Sequence, residues 1–172
     1  SGIGDIFKNL SYNPSITELD VSKVQGNFND QGRDTLAKLL KLSITVEKLN
    51  LWKIPLQGLA PVVFDELEKN KSLKVLDMGD TNFNNMFQLG KALHKNATLE
   101  ELNLQNNNIT TSQLFQMHEE LKKEKGGFSL KKIILSGNQL QTVEHGKEKR
   151  KRVMGHILQI AKNLTYLDLS NY

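Results

Sequence analysis

Cysteine is absent from this 172-residue chain, which excludes a disulfide framework and thiol catalysis within it. The absence leans toward a reducing, intracellular setting. No apolar run approaches the ~20 residues of a membrane-spanning helix, so no integral membrane protein is expected. No secretory leader opens the chain, and Ser1-Gly2 reads as a cloning remnant. Arginine is scarce, 3 against 20 lysines, and with 17 asparagines this bias suits an AT-rich source genome.

The signatures of common chemistry are missing too. His94, His118, His145 and His156 are scattered, with no H-x-x-x-H pair, so no metal site is expected. There is no G-x-x-x-x-G-K-[S/T] loop to cradle a phosphate and no G-x-S-x-G elbow to hold a nucleophile. Acid pairs such as Asp20 with Asp77 would be solvated, with little to drive their pKa values apart as catalysis requires. We therefore expect no catalytic residues, no cofactor and no enzyme.

Charge is local. The net charge is +4, and the segment KEKRKR at 147–152, with five bases and one acid, accounts for all of it. The remainder is balanced, and no aromatics interleave the basic run, so a nucleic-acid binder is not expected. Lys and Arg at a helix start oppose the helix dipole. The insertion from Gln141 to Arg152 is therefore a candidate contact for an acidic partner, with a solvated loop as the plain alternative.

What is present is a repeat. The frame L-x-x-L-x-L-x-x-N-x-L fits LEELNLQNNNI from Leu99 and LKKIILSGNQL from Leu130. With Thr81 or Ile54 in the Asn place it fits LKVLDMGDTNF from Leu73 and VEKLNLWKIPL from Val46. A looser copy starts at Ile16, with Val24 in that place, and a cut-off copy at Leu164; the spacings are 30, 27, 26, 31 and 34. Between copies run helical stripes: Leu36, Leu39 and Leu40; Val62, Val63 and Leu67; Met86, Leu89 and Leu93; Leu114, Met117 and Leu121; and a last one from Val153 to Ala161. Ahead of the first copy, Ile3, Ile6, Phe7 and Leu10 predict a helix over 3–13.

Each unit is thus a short strand, a turn and a helix. One unit cannot bury its own apolar face, but stacked units can, as a curved α/β solenoid with parallel strands inside the bend and helices outside. A second motif precedes the strands, as NPSI, SITV, NKSL, NATL and GFSL. Asn and Gly tolerate the left-handed backbone that ends helices, so Asn13, Ser43, Asn70, Asn96 and Gly127 are read as helix exits. Asn9, Asn70, Asn96, Asn108 and Asn163 also match the N-x-[S/T] glycan acceptor, but at Asn70 and Asn96 the structural reading suffices.

These residues resemble the leucine-rich repeat superfamily, in its ribonuclease-inhibitor-like class, with NATLEELNLQNNNI as a close match. The class includes ribonuclease inhibitor, the Ran GTPase-activating protein, tropomodulin and NOD-like receptor sensors. The resemblance implies one domain over 1–172, with five repeats from 16, 46, 73, 99 and 130 and a partial sixth from 164. It also implies that Asn107 and Asn138 bond backbone groups where the strand turns away, a task Val24, Ile54 and Thr81 cannot perform equally. The chain stops inside the sixth unit, so a longer native protein, a trimmed chain or a covered strand edge is expected.

Strand side chains alternate. With places four and six in the core, places three, five and seven face the concave side. That row holds Glu18, Asp20, Lys48, Asn50, Trp52, Val75, Asp77, Glu101, Asn103, Gln105, Lys132, Ile134, Tyr166 and Asp168. Trp52, the only tryptophan, is either an interface anchor, where truncation costs ~2 kcal/mol or more, or packs across neighbouring strands. The face is mixed and mildly acidic, and would steer a partner with a basic patch. The expected function is capture of a folded protein partner on this face, including inhibition or regulation of an enzyme by covering its site. A small-GTPase regulator and an actin-cap-like adaptor are the alternatives. The expected setting is the cytoplasm, or the host cytosol for a bacterial effector with eukaryote-like repeats.

Overall fold

The structure, a computed structural model, describes residues 3–22, 28–59, 61–123, 129–140, 155 and 163–170. Each repeat opens with a three-residue strand, because only places three to five keep the extended pairing. The strands are β1 (Glu18–Asp20), β2 (Lys48–Asn50), β3 (Val75–Asp77), β4 (Glu101–Asn103), β5 (Lys132–Ile134) and β6 (Tyr166–Asp168). They form one parallel sheet in chain order, β1 to β6. Its register is the register of the repeat: Glu18, Lys48, Val75, Glu101, Lys132 and Tyr166 stand side by side. The expected α/β repeat solenoid is what the chain forms.

The helices are α1 (Ile3–Leu10), α2 (Asp30–Leu42), α3 (Pro61–Lys69), α4 (Met86–Lys95) and α5 (Thr111–Leu121). α1 ends three residues short of the expected 13. Polar caps start three of them: Asn29 accepts from Gly32 N–H, Asn85 from Gln88 N–H, and Thr110 forms a reciprocal capping box with Gln113. Each helix packs on the next. Helices pack 8–10 Å apart and strands about 4.8 Å apart, so the stack bends with the sheet inside.

Places four and six are core as expected: Leu49, Leu51, Leu76, Met78, Leu102, Leu104, Ile133 and Leu135 are all buried. Of the helical stripes one needs correction. Val62 is exposed and Phe64 is buried with Val63 and Leu67. At 100° per residue, 63, 64 and 67 subtend a narrow arc and 62 falls outside it. The stripe from 153 to 161 and the segment 147–152 lie outside the described residues, apart from the helical Gly155.

The helix exits need a second correction. Ser43 and Asn96 both have φ −72°, ordinary extended backbone. None of Asn13, Ser43, Asn70 and Asn96 has positive φ; Lys53, Asp80, Asn82, Asn106 and Asn108 do, at the opposite end of the strands. Asparagine stands at the exits for its side chain. Asn96 Oδ1 accepts from Thr98 and Leu99 N–H, while its Nδ2 donates to the Leu67 and Asn70 carbonyls of the preceding repeat. Asn70 repeats this, bonding Ser72 and Leu73 N–H and the Leu40 carbonyl. The hydroxyl two places on adds a rung: Ser72 to Ser43 O, Thr98 to Asn70 O, Ser129 to Leu99 O. Gly127 lies outside the described residues.

A matching ladder closes the strand exits. Asn107 Nδ2 donates to the Met78 and Leu104 carbonyls, and its Oδ1 accepts from Thr81 and Phe83 N–H. Asn138 does the same for Leu104 and Leu135 O and for Asn107 and Ile109 N–H. Thr81 substitutes in part, its hydroxyl bonding Met78 O at 2.8 Å. Ile54 holds its place by packing alone and is fully buried. Val24 lies outside the described residues.

Two outcomes follow from bonding by side chain rather than by backbone freedom. Asn96→Gly, harmless if the exit needed a left-handed residue, should destabilise as much as Asn96→Ala, by about 2–4 kcal/mol for the orphaned buried groups. Asn107→Ala should cost a similar amount, whereas Asn84→Ala, at an exposed position of ordinary φ, stays within about 0.5 kcal/mol. Urea unfolding followed by far-UV circular dichroism reads all four.

Candidate functional site

The parallel register places the expected side chains in three rows across the open face of the sheet. All fourteen are at least partly accessible, with Tyr166 half exposed. The third-place row carries Glu18, Lys48, Val75, Glu101, Lys132 and Tyr166, and neighbours along it pair. Lys48 Nζ is 2.6 Å from Glu18 Oε1, and Lys132 Nζ is 3.4 Å from Glu101 Oε2. Lys132 also lies 5.5 Å from the Tyr166 ring centroid. The Glu18 hydrogen bond raises the Lys48 pKa above its ordinary value, with the Glu18 charge adding to it.

The fifth-place row alternates carboxylate and amide: Asp20, Asn50, Asp77, Asn103, then Ile134 and Asp168. Five of these side chains have a structural duty as well. Asp20, Asn50, Asp77, Asn103 and Asp168 each accept from the N–H two residues on, namely Ser22, Trp52, Gly79, Gln105 and Ser170. These turns fix the carboxylates in place. Asp77 Oδ2 also accepts from Asn103 Nδ2 at 3.0 Å. The Ser170 N–H, helped by the Ser170 hydroxyl, holds the Asp168 carboxyl below its ordinary pKa.

The seventh-place row settles how Trp52 sits. A Cβ on Gly79 would lie 2.4 Å from Trp52 Cζ3 and 2.6 Å from Cε3. The indole of β2 thus rests on bare backbone beyond β3. Trp52 packs across the neighbouring strand and remains partly accessible. Its Cα neighbour Lys53 pairs with Asp80 at 3.5 Å. Gly79, Lys53 and Asp80 were not among the expected site residues. The signal was legible for Gly79, a residue without a side chain in register with the only tryptophan.

Two shallow depressions share this face. One of about 320 Å³ spans β1 to β3 from Glu18 and Asp20 to Val75 and Asp77. The other, about 100 Å³, runs from Val75 and Asp77 to Lys132 and Ile134. They meet at Val75 and Asp77. A separate depression of about 240 Å³ lies on the helix-exit rim among Lys41, Lys69 and Lys71. Among the described residues no cluster of three His, Cys, Asp or Glu could hold a metal, and no helix is long and apolar enough to cross a membrane. Asn70 and Asn96 are buried and so are closed to glycan transfer, while Asn9, Asn108 and Asn163 are exposed.

Gly79→Ala should displace the indole without straining the backbone. Because Trp52 is the only tryptophan, its emission should shift to longer wavelength in Gly79→Ala, with the far-UV spectrum unchanged.

Comparison with known proteins bears on the fold. The family model described as "Leucine Rich repeat" matches residues 95–112. No curated protein matches the chain. Among solved structures, the chain is similar to the actin-binding site 2 of leiomodin-1. The TM-score is 0.57 and identity 17%, over 97% of this chain and 76% of that one. It is also similar to the tropomodulin C-terminal domain of Caenorhabditis elegans, with TM-score 0.52 and identity 11%, over 97% of this chain and 82% of that one.

Proposed function

We propose that the chain is a leucine-rich repeat protein that acts as a protein-binding module, not an enzyme, and that its concave sheet face takes the partner. The observation that carries this is the face itself. Six strands in register present fixed rows of polar, charged and aromatic side chains that the sheet does not need for its own burial. A rigid array of this kind loses little side-chain entropy on binding. Trp52 supplies the aromatic anchor, Val75 on the next strand adds apolar area near it, and Ile134 and Tyr166 add more farther along the face. The whole chain, 1–172, acts as one domain. Where the partner is an enzyme, cover by the solenoid would block its active site.

A second reading is actin contact, favoured by the similarity to the actin-binding site 2 of leiomodin-1. Cosedimentation with actin filaments and monomer sequestration distinguish it from other partners. A rise in GTP hydrolysis by a small GTPase on addition of the protein would favour a third.

For the concave face, Trp52→Ala and Glu101→Lys should each lower capture of a given partner about tenfold or more. Neutralising Lys149 to Arg152 should leave it within about threefold. Surface plasmon resonance with each variant measures this, and the reverse ranking would exclude the concave face.

A further inference from the structure

The concave face carries Glu18, Asp20, Asp77, Glu101 and Asp168 against Lys48 and Lys132, five carboxylates to two ammonium groups, in a chain whose total charge is +4. Both lysines are turned to Glu18 and Glu101 by ion pairs. The acidic excess therefore lies in the fifth-place row, where Asp20 and Asp77 flank Asn50 in register. Asp77 Oδ1 accepts from the Gly79 N–H at 2.9 Å, so the Asp77 carboxylate stands against the residue that seats the Trp52 indole. The ring is backed by Gly79, where a Cβ would lie 2.4 Å from Cζ3, and Trp52 stays partly accessible. A held aromatic plane beside a held carboxylate fits one side chain better than others. A guanidinium stacks flat on an indole and presents a planar fork to a carboxylate, whereas an ammonium is a strongly hydrated point charge.

We infer that the partner docks on this face through an arginine that stacks on Trp52 and pairs with Asp77, as part of a basic extended segment laid across β1 to β4. This rests on the concave-face reading above and deepens it. Gly79 is a positioning residue, since any side chain there would displace the indole. The acidic row draws the segment in, and the 320 Å³ depression between Asp20 and Asp77 receives the residues beside the arginine.

The probe is hexa-arginine, with hexalysine as the equal-charge control, titrated into the full chain at low salt. Binding is followed by Trp52 fluorescence and by amide chemical shifts. Hexa-arginine should quench Trp52 and move the amides of residues 50–53 and 77–80, with a Kd about tenfold below that of hexalysine. Asp77→Asn, with its melting checked, should abolish the difference between the peptides. Equal affinities, shifts outside β1 to β4, or an undiminished preference in Asp77→Asn would each overturn the arginine. A partner lost on Trp52→Ala that hexa-arginine fails to displace overturns the arginine but leaves the concave face standing. A partner indifferent to both Trp52→Ala and Glu101→Lys overturns the concave face itself.

Discussion

A parallel strand of three residues leaves its backbone unmet at both ends, and the side-chain amides that meet it are what the remaining structure depends on. At the helix exits Asn70 and Asn96 tie each turn to the carbonyls of the repeat before. At the strand exits Asn107 and Asn138 do so from the other side. These groups are buried, where an unpaired donor or acceptor costs about 1–3 kcal/mol. An amide answers two donors and two acceptors at once, which a hydroxyl or carboxylate of similar size does not. Thr81 shows the limit: its hydroxyl reaches one carbonyl, and Asn107 of the next repeat supplies the rest.

The ladders have a consequence for the open face. They fix the distance and register of successive strands, so the side chains between the leucines stand in straight rows. The fifth-place Asp and Asn residues then lock the row further by capping the N–H two places on. The same carboxylates thus serve the fold and give the face its charge. Trp52 belongs to the same logic. Its seat on Gly79 holds a large, partly accessible side chain in place, so a partner meets it without first ordering it.

Packing between helices follows the same rule of small against large. A Cβ on Gly90 would fall 2.8 Å from the Met117 carbonyl oxygen. The absence of a side chain there lets α4 and α5 approach as closely as the strand spacing beneath them demands.

The repeat, its strand order, its core places and its outward rows were legible in the sequence, because period and alternation are local and each copy corroborates the others. Val62 was misplaced because a stripe read one residue too early still looks helical. The helix exits at Ser43, Asn70 and Asn96 were located correctly and explained wrongly. Asparagine suits both a left-handed backbone and a bridging amide, and only the neighbouring repeat shows which is used. Trp52 was likewise placed on the right face, but whether it stood free or packed across the sheet depended on Gly79, 27 residues away. Sequence by itself determined the unit and the face taken by each strand side chain. Tertiary structure alone decided what each meets across the 4.8 Å between strands, because those contacts join residues that are close only once the units are stacked.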